Sequence, residues 1–221
     1  MIKKVTIVII LLFALFAIPS IGDAREHDTF SVDLMWSSST LVPNDYEGKS
    51  LAIRGSTIDV VALSDHPNRK NLEYNWFLDG DFIGFASGKG KNGYSLRVTN
   101  WPSFSHTIKV IVVDPTTIES QSSIINIVIL EPEIDILHPD PVFRGEPVFI
   151  RAVPYFFTEI NLDYNWSFNF QHADGSSSNP STLILEIGGS YTLPDGKLDL
   201  IVKNPKNPFE QTRKRVIINI E

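Results

Sequence analysis

The 221-residue chain contains no cysteine. That absence removes a thiol nucleophile, every cysteine-based zinc site, a lipoprotein-type anchor and any disulfide staple, so the core must hold by packing alone. Beyond the N-terminus no window repeats apolar residues at the i, i+3, i+4, i+7 spacing of an amphipathic helix, which argues against a helical bundle. Runs of like charge stop at Arg213, Lys214 and Arg215, and the net charge is −7, a poor surface for nucleic acid. His27, His66, His106, His138 and His172 are scattered without a paired spacing and read as exposed loop residues, not metal ligands.

Other catalytic signatures are missing too. There is no G-x-S-x-G elbow, and the glycines of SGKGKNG at 87–93 lack the spacing and the hydroxyl of a phosphate loop, so the stretch reads as a hairpin turn. Asp79, Gly80 and Asp81 open like a calcium loop, but the ligand pattern ending in Glu does not follow, and they too read as a turn. No catalytic, cofactor or metal-ligating residue is therefore assigned, and the chain reads as non-enzymatic.

What the sequence does contain begins with MIKKVTIVIILLFALFAIPSIGDA. Lys3 and Lys4 precede a largely apolar run from Val5 to Ile18, then Pro19 and small residues up to Ala24, the layout of a signal peptide over 1–24. The run would make only about 21 Å of helix against a hydrocarbon core of about 30 Å, which favours cleavage over an N-terminal membrane anchor. Its removal leaves a net charge of about −8. The expected location is extracytoplasmic: secreted, periplasmic or at the cell surface. Any membrane contact would run through an uncleaved N-terminus.

The rest is a duplication. NLEYNW at 71–76 returns as NLDYNW at 161–166, and at the same shift of 90 Gly55 falls on Gly145, Ala62 on Ala152, Pro115 on Pro205 and Gln121 on Gln211. Leu162, Tyr164, Trp166, Phe168 and Phe170 alternate with polar residues, as do Leu72, Tyr74, Trp76 and Leu78, the pattern of a strand with one face in a core. Matching strands follow at Ile58–Ala62 and Val148–Ala152, Tyr94–Val98 and Leu183–Ile187, Ile108–Val112 and Leu198–Val202, with final strands near 123–130 and 215–221. Short strands separated by DG, NG, NP and DP turns imply antiparallel sandwiches, one over 26–130 and one over 131–221. Glu131, Pro132 and Glu133 leave little slack between them, so a semi-rigid rod is expected.

The order of these signals, with YNWFLDGD and IKVIVVDP in one half and YNWSFNF and GKLDLIVKNP in the other, resembles the immunoglobulin-like superfamily and, within it, PKD-type domains of exported bacterial or archaeal proteins. The resemblance implies an all-β chain of two tandem antiparallel immunoglobulin-like (PKD-like) β-sandwiches after the signal peptide. The GDG-like turn usual after the tryptophan strand is partly present at Asp79–Asp81 and absent after Trp166, and Val60 and Val110 stand where disulfide-bearing relatives carry cysteine.

Function is then sought in what does not repeat. Trp36, Tyr46, Trp101, Tyr155, Phe156 and Phe157 lie outside the alternating pattern and are the candidate contacts for a protein partner at the cell surface or for a glycan. The competing reading is structural: Trp36 capping the first sandwich, Trp101 plugging its loop end, and Phe156 or Phe157 packed at the domain junction. Residues 37–54, SSSTLVPNDYEGKSLAIR, have no counterpart in the second half and are the segment of the first most open to elaboration for a partner. Two functions are carried forward: a structural, adhesion or assembly module, and a carbohydrate-binding protein that uses its exposed aromatics.

Overall fold

The structure is a computed structural model and describes residues 30–221; the signal-peptide reading of 1–24, and His27, lie outside the described residues. The first half carries β1 (Val32–Ser38), β2 (Thr57–Ser64), β3 (Glu73–Leu78), β4 (Asp81–Phe82), β5 (Gly88–Lys89), β6 (Gly93–Arg97), β7 (Ser105–Val113) and β8 (Ser120–Val128). The second carries β9 (Glu133–Leu137), β10 (Pro147–Tyr155), β11 (Asp163–Phe168), β12 (Gln171–Ala173), β13 (Thr182–Glu186), β14 (Asp195–Asn204) and β15 (Asn207–Asn219). The chain is all-β among the described residues apart from one 3-10 turn at Arg69–Asn71, and every pairing between strands is antiparallel.

The two halves pair their strands in the same order. Sheet β1-β2-β6 corresponds to β9-β10-β13, and β4-β3-β7-β8 corresponds to β12-β11-β14-β15, the crossed order of an immunoglobulin-like sandwich. Each pair of sheets closes on its own apolar cluster, one from Phe30 to Ile129 and the other from Ile134 to Ile220. Trp76 and Trp166 are fully buried, and each indole N–H donates to a carbonyl of the crossing segment, Lys91 O at 2.9 Å and Pro180 O at 3.1 Å. That bond satisfies the one polar atom of a ring whose burial stabilises each core by about 3–5 kcal/mol relative to alanine.

The repeated glycines have a backbone reason. Gly55 and Gly145 both lie at positive φ, +98° and +78°, and both donate their N–H to the residue just past the neighbouring strand, Val98 O after β6 and Ile187 O after β13. A left-handed corner at the entry to β2 and β10 suits glycine because it has no Cβ.

Three expectations are corrected. The 87–93 stretch is not a hairpin: Gly88–Lys89 pairs with β3 while Gly93 opens β6 on the facing sheet, so the segment crosses the sandwich. His106 is buried, not exposed, with Nδ1 at 2.8 Å from Asp79 Oδ2.

Phe170, the last of the alternating residues, is not inside. Strand β11 stops at Phe168, and Asn169 and Phe170 form a tight turn with φ of +48° and +65°. The turn after Trp166 is thus present in geometry though its sequence has changed. Asp79 N–H donates to Thr107 O and its Oδ1 accepts from Thr107 N–H; Asn169 makes the same two bonds with Lys197. Where the first half has Gly80 at φ +95°, the second has Phe170, a left-handed conformation that costs a residue with a Cβ about 1–2 kcal/mol.

Candidate functional site: the junction and the outer faces

Residues 39–54 leave the end of β1 and reach the second sandwich at Leu41, Tyr46 and Arg54, while Lys49–Ala52 return to the first. Leu41 N–H donates to Phe157 O at 2.7 Å, and Phe156 N–H donates to Leu41 O at 2.7 Å, a two-bond antiparallel bridge between the halves. Phe157 passes into the second core, whereas Phe156, held at φ +63°, turns its ring toward the loop and is also buried. Tyr46 meets it edge-on at 5.6 Å and meets Tyr155 at 5.7 Å. Partial desolvation, then the nearby carboxylates Asp135 and Asp45, raise the Tyr155 phenol above its ordinary pKa.

A second set of contacts closes the other flank. The Arg54 guanidinium lies 3.7 Å from the centre of the Trp101 ring and 3.9 Å from that of Phe209, so one cation is shared by an aromatic from each half. Its backbone carbonyl accepts from Asn207 Nδ2 at 3.4 Å, and the same amide donates to Glu210 Oε2 at 3.2 Å. Glu210 is almost fully buried and also accepts from Thr158 N–H, from Thr158 Oγ1 at 2.7 Å and from Asn204 Nδ2 at 3.0 Å. Four donors let a carboxylate remain buried without a cation of its own. The linker is pinned as well, through Leu130 N–H to Ala52 O at 2.8 Å.

The six candidate residues are therefore distributed as follows. Tyr46, Tyr155 and Phe156 form one ring cluster at the junction, Phe157 beside them points into the second core, and Trp101 lines a separate cleft of about 640 Å³ with Arg54, Glu131, Phe209 and Arg213. Trp101 keeps 53% of its surface open and Phe209 54%. Trp36 is apart from both: it packs half-buried on the first core, with Lys49 Nζ 3.6 Å above its ring. Partial desolvation lowers the Lys49 pKa. Among the described residues no three His, Asp or Glu side chains converge on a point that could hold a metal ion.

Sequence reasoning passed over Arg54, Phe209 and one whole sheet face. On the outer side of β14 and β15, Asp199 is buried beneath Arg213 and Arg215, with Arg213 Nη2 at 2.7 Å and Arg215 Nε at 2.9 Å. Burial alone would raise that carboxyl, but the hydrogen bonds from Arg215 and Arg213 outweigh it and hold its pKa below the ordinary range. Phe170 stands at the edge of this face, 72% exposed, with Lys197 Nζ and the Arg215 guanidinium 5.9 and 5.7 Å from its ring centre. The 90-residue shift that aligns Phe170 with Gly80 was the available signal.

No family model matches the chain, and no curated protein matches it. Solved structures do share its outline. The fibronectin(III)-like modules of Clostridium thermocellum CbhA match over 85% of this chain and 94% of theirs, at 10% identity and a TM-score of 0.32. The ectodomain Ig1–Ig3 of mouse nectin-like molecule 4 matches over 87% of this chain and 64% of its own, at 12% identity and a TM-score of 0.36. SGBP-B of the Bacteroides ovatus mixed-linkage glucan utilization locus, solved with a mixed-linkage heptasaccharide, matches over 86% of this chain and 47% of its own, at 9% identity and a TM-score of 0.30.

Proposed function

We propose that the protein is an exported, non-enzymatic structural or adhesion module that holds two immunoglobulin-like sandwiches, of PKD-like type over 26–130 and 131–221, as one body and presents them to a protein partner at the cell surface. The observation that carries this reading is the use made of the unrepeated loop. Instead of standing free, residues 39–54 bridge to Phe156 and Phe157 and place Arg54 between Trp101 and Phe209. Fixing two sandwiches at a set spacing serves presentation of sheet faces and hairpin tips, because a partner then meets both without an ordering cost. The test is a photo-crosslinking residue at Phe149, on the open face of β10, in intact producing cells. A covalent adduct with a surface protein is expected; a protein shielded from external protease and lacking any adduct would defeat the reading.

A second reading has its own support. Trp101 and Phe209 meet edge-on at 5.2 Å beside the 640 Å³ cleft, both about half open, an arrangement on which a sugar ring could stack with Glu131, Gln211 and Arg213 at hand. A glycan array probed with the parent and with Trp101→Ala tests it. Binding that the substitution removes supports it, and silence across the array discards it.

A further inference from the structure

We infer that the outer face around Phe170 docks onto a second copy of this chain, against the outer face of β1 and β2. The inference deepens the protein-partner reading and rests on it. Its starting point is the internal comparison that the duplication supplies. The two halves share strand order, turn geometry and the paired bonds of Asp79 and Asn169, so equivalent positions can be compared directly. In the first half those positions are Gly80, Thr107 and Ile124; in the second they are Phe170, Lys197 and Arg215. At these positions the second half carries an exposed phenyl ring and two cations where the first has glycine, threonine and isoleucine, at the expense of a left-handed backbone; the first half keeps Phe82 and Lys109 elsewhere on its corresponding face. Packing does not demand this ring, since it faces solvent and glycine serves the same turn in the first half. Strain of this kind persists where a function retains it.

The chain also carries a face that fits. On the outer side of β1 and β2, Met35, Val61 and Leu63 are 61%, 38% and 46% exposed and adjoin one another through the Met35–Val61 and Asp33–Leu63 pairs. Asp33 and Asp59 bound this apolar strip, and Gly93 on β6 leaves the position beside Val61 without a side chain. A phenyl seated on the strip would bring Lys197 and Arg215 toward the two aspartates, apolar against apolar and positive against negative. The basic face is local to a chain of net charge −7, so it finds acidic counterparts readily on its own copies.

The Lys197 end of the basic face and the Asp33 end of the apolar strip both point away from the junction, while the strip runs back along β1 to Asp59 opposite Ser37. Lys197 pairs with Ile217, at the opposite end of β15 from Phe209, and Asp33 lies at the opposite end of β1 from the junction loop. They are also different patches, so contact between them is head to tail and propagates along a chain of copies or closes into a ring.

Sedimentation velocity of the purified protein over a rising concentration series, at low and at high salt, tests the inference. Association at low salt that weakens with salt is expected. Phe170→Gly, which restores the residue of the first half, should weaken it by at least about tenfold while leaving the unfolding midpoint unchanged or raised. Lys197→Glu should abolish association, and Lys197→Glu combined with Asp33→Lys should recover it. A protein that stays monomeric throughout, or association that neither Phe170→Gly nor Lys197→Glu weakens, overturns the inference. A strictly monomeric protein that still crosslinks to another surface protein overturns self-association alone and leaves the broader reading in place.

Discussion

Asp199 shows how a single residue couples the outer face to stability. It is buried on the solvent side of β14 and tolerates burial only because Arg213 and Arg215 reach across the pairing to it. Its pKa is lowered in the fold, so its contribution is fully present above the unfolded carboxyl value of about 3.9 and is lost as pH falls through the folded value. Below about pH 4 the parent should lose stability more steeply than Asp199→Asn, which has no proton to take up there. Denaturant midpoints collected from pH 7 down to about pH 2 check this, and parallel slopes would contradict it. Charge composition alone did not expose this pair of arginines as more than the solvated approach to a last strand, because their partner lies 14 and 16 residues earlier on a neighbouring strand.

At the scale of elements, alternation located the strands and missed their ends. Leu162, Tyr164, Trp166 and Phe168 obey period two, and Phe170 continues the pattern in the sequence. The turn bonds of Asn169 to Lys197 stop the strand at Phe168, two residues before it. A hydrophobicity pattern cannot register a hydrogen bond to a strand 28 residues away. The loop at 39–54 had the opposite history. Its lack of a counterpart marked it as special, but its apolar residues found their use on the other half, which no local pattern specifies. Leu41→Pro removes the N–H given to Phe157 O, a bond worth about 1 kcal/mol, and should loosen the junction without unfolding either core. Small-angle scattering should then show a broader distribution of interatomic distances than the parent; identical profiles would show that the bridge does not hold the halves.

For the whole molecule, the junction predicts cooperativity. Two cores with a flexible tether would melt independently, whereas an interface with a bridge, an aromatic cluster and a shared cation couples them. Guanidinium unfolding of the parent, followed by tryptophan fluorescence and by circular dichroism, should give coincident curves. Arg54→Ala should separate them into two transitions, because it removes the cation held between Trp101 and Phe209; coincident curves in the variant would show that Arg54 is not the coupling group. The sequence by itself determined the repeat, the all-β class and the buried tryptophans, since each follows from periodicity. Only the tertiary structure decided where the unrepeated parts go. Packing of Phe156 or Phe157 at the junction is one reading of the sequence; that Tyr46 crosses to Tyr155 and Phe156, and that Phe170 stands outside among Lys197 and Arg215, depends on contacts between segments far apart in the chain, whose energies no local pattern contains.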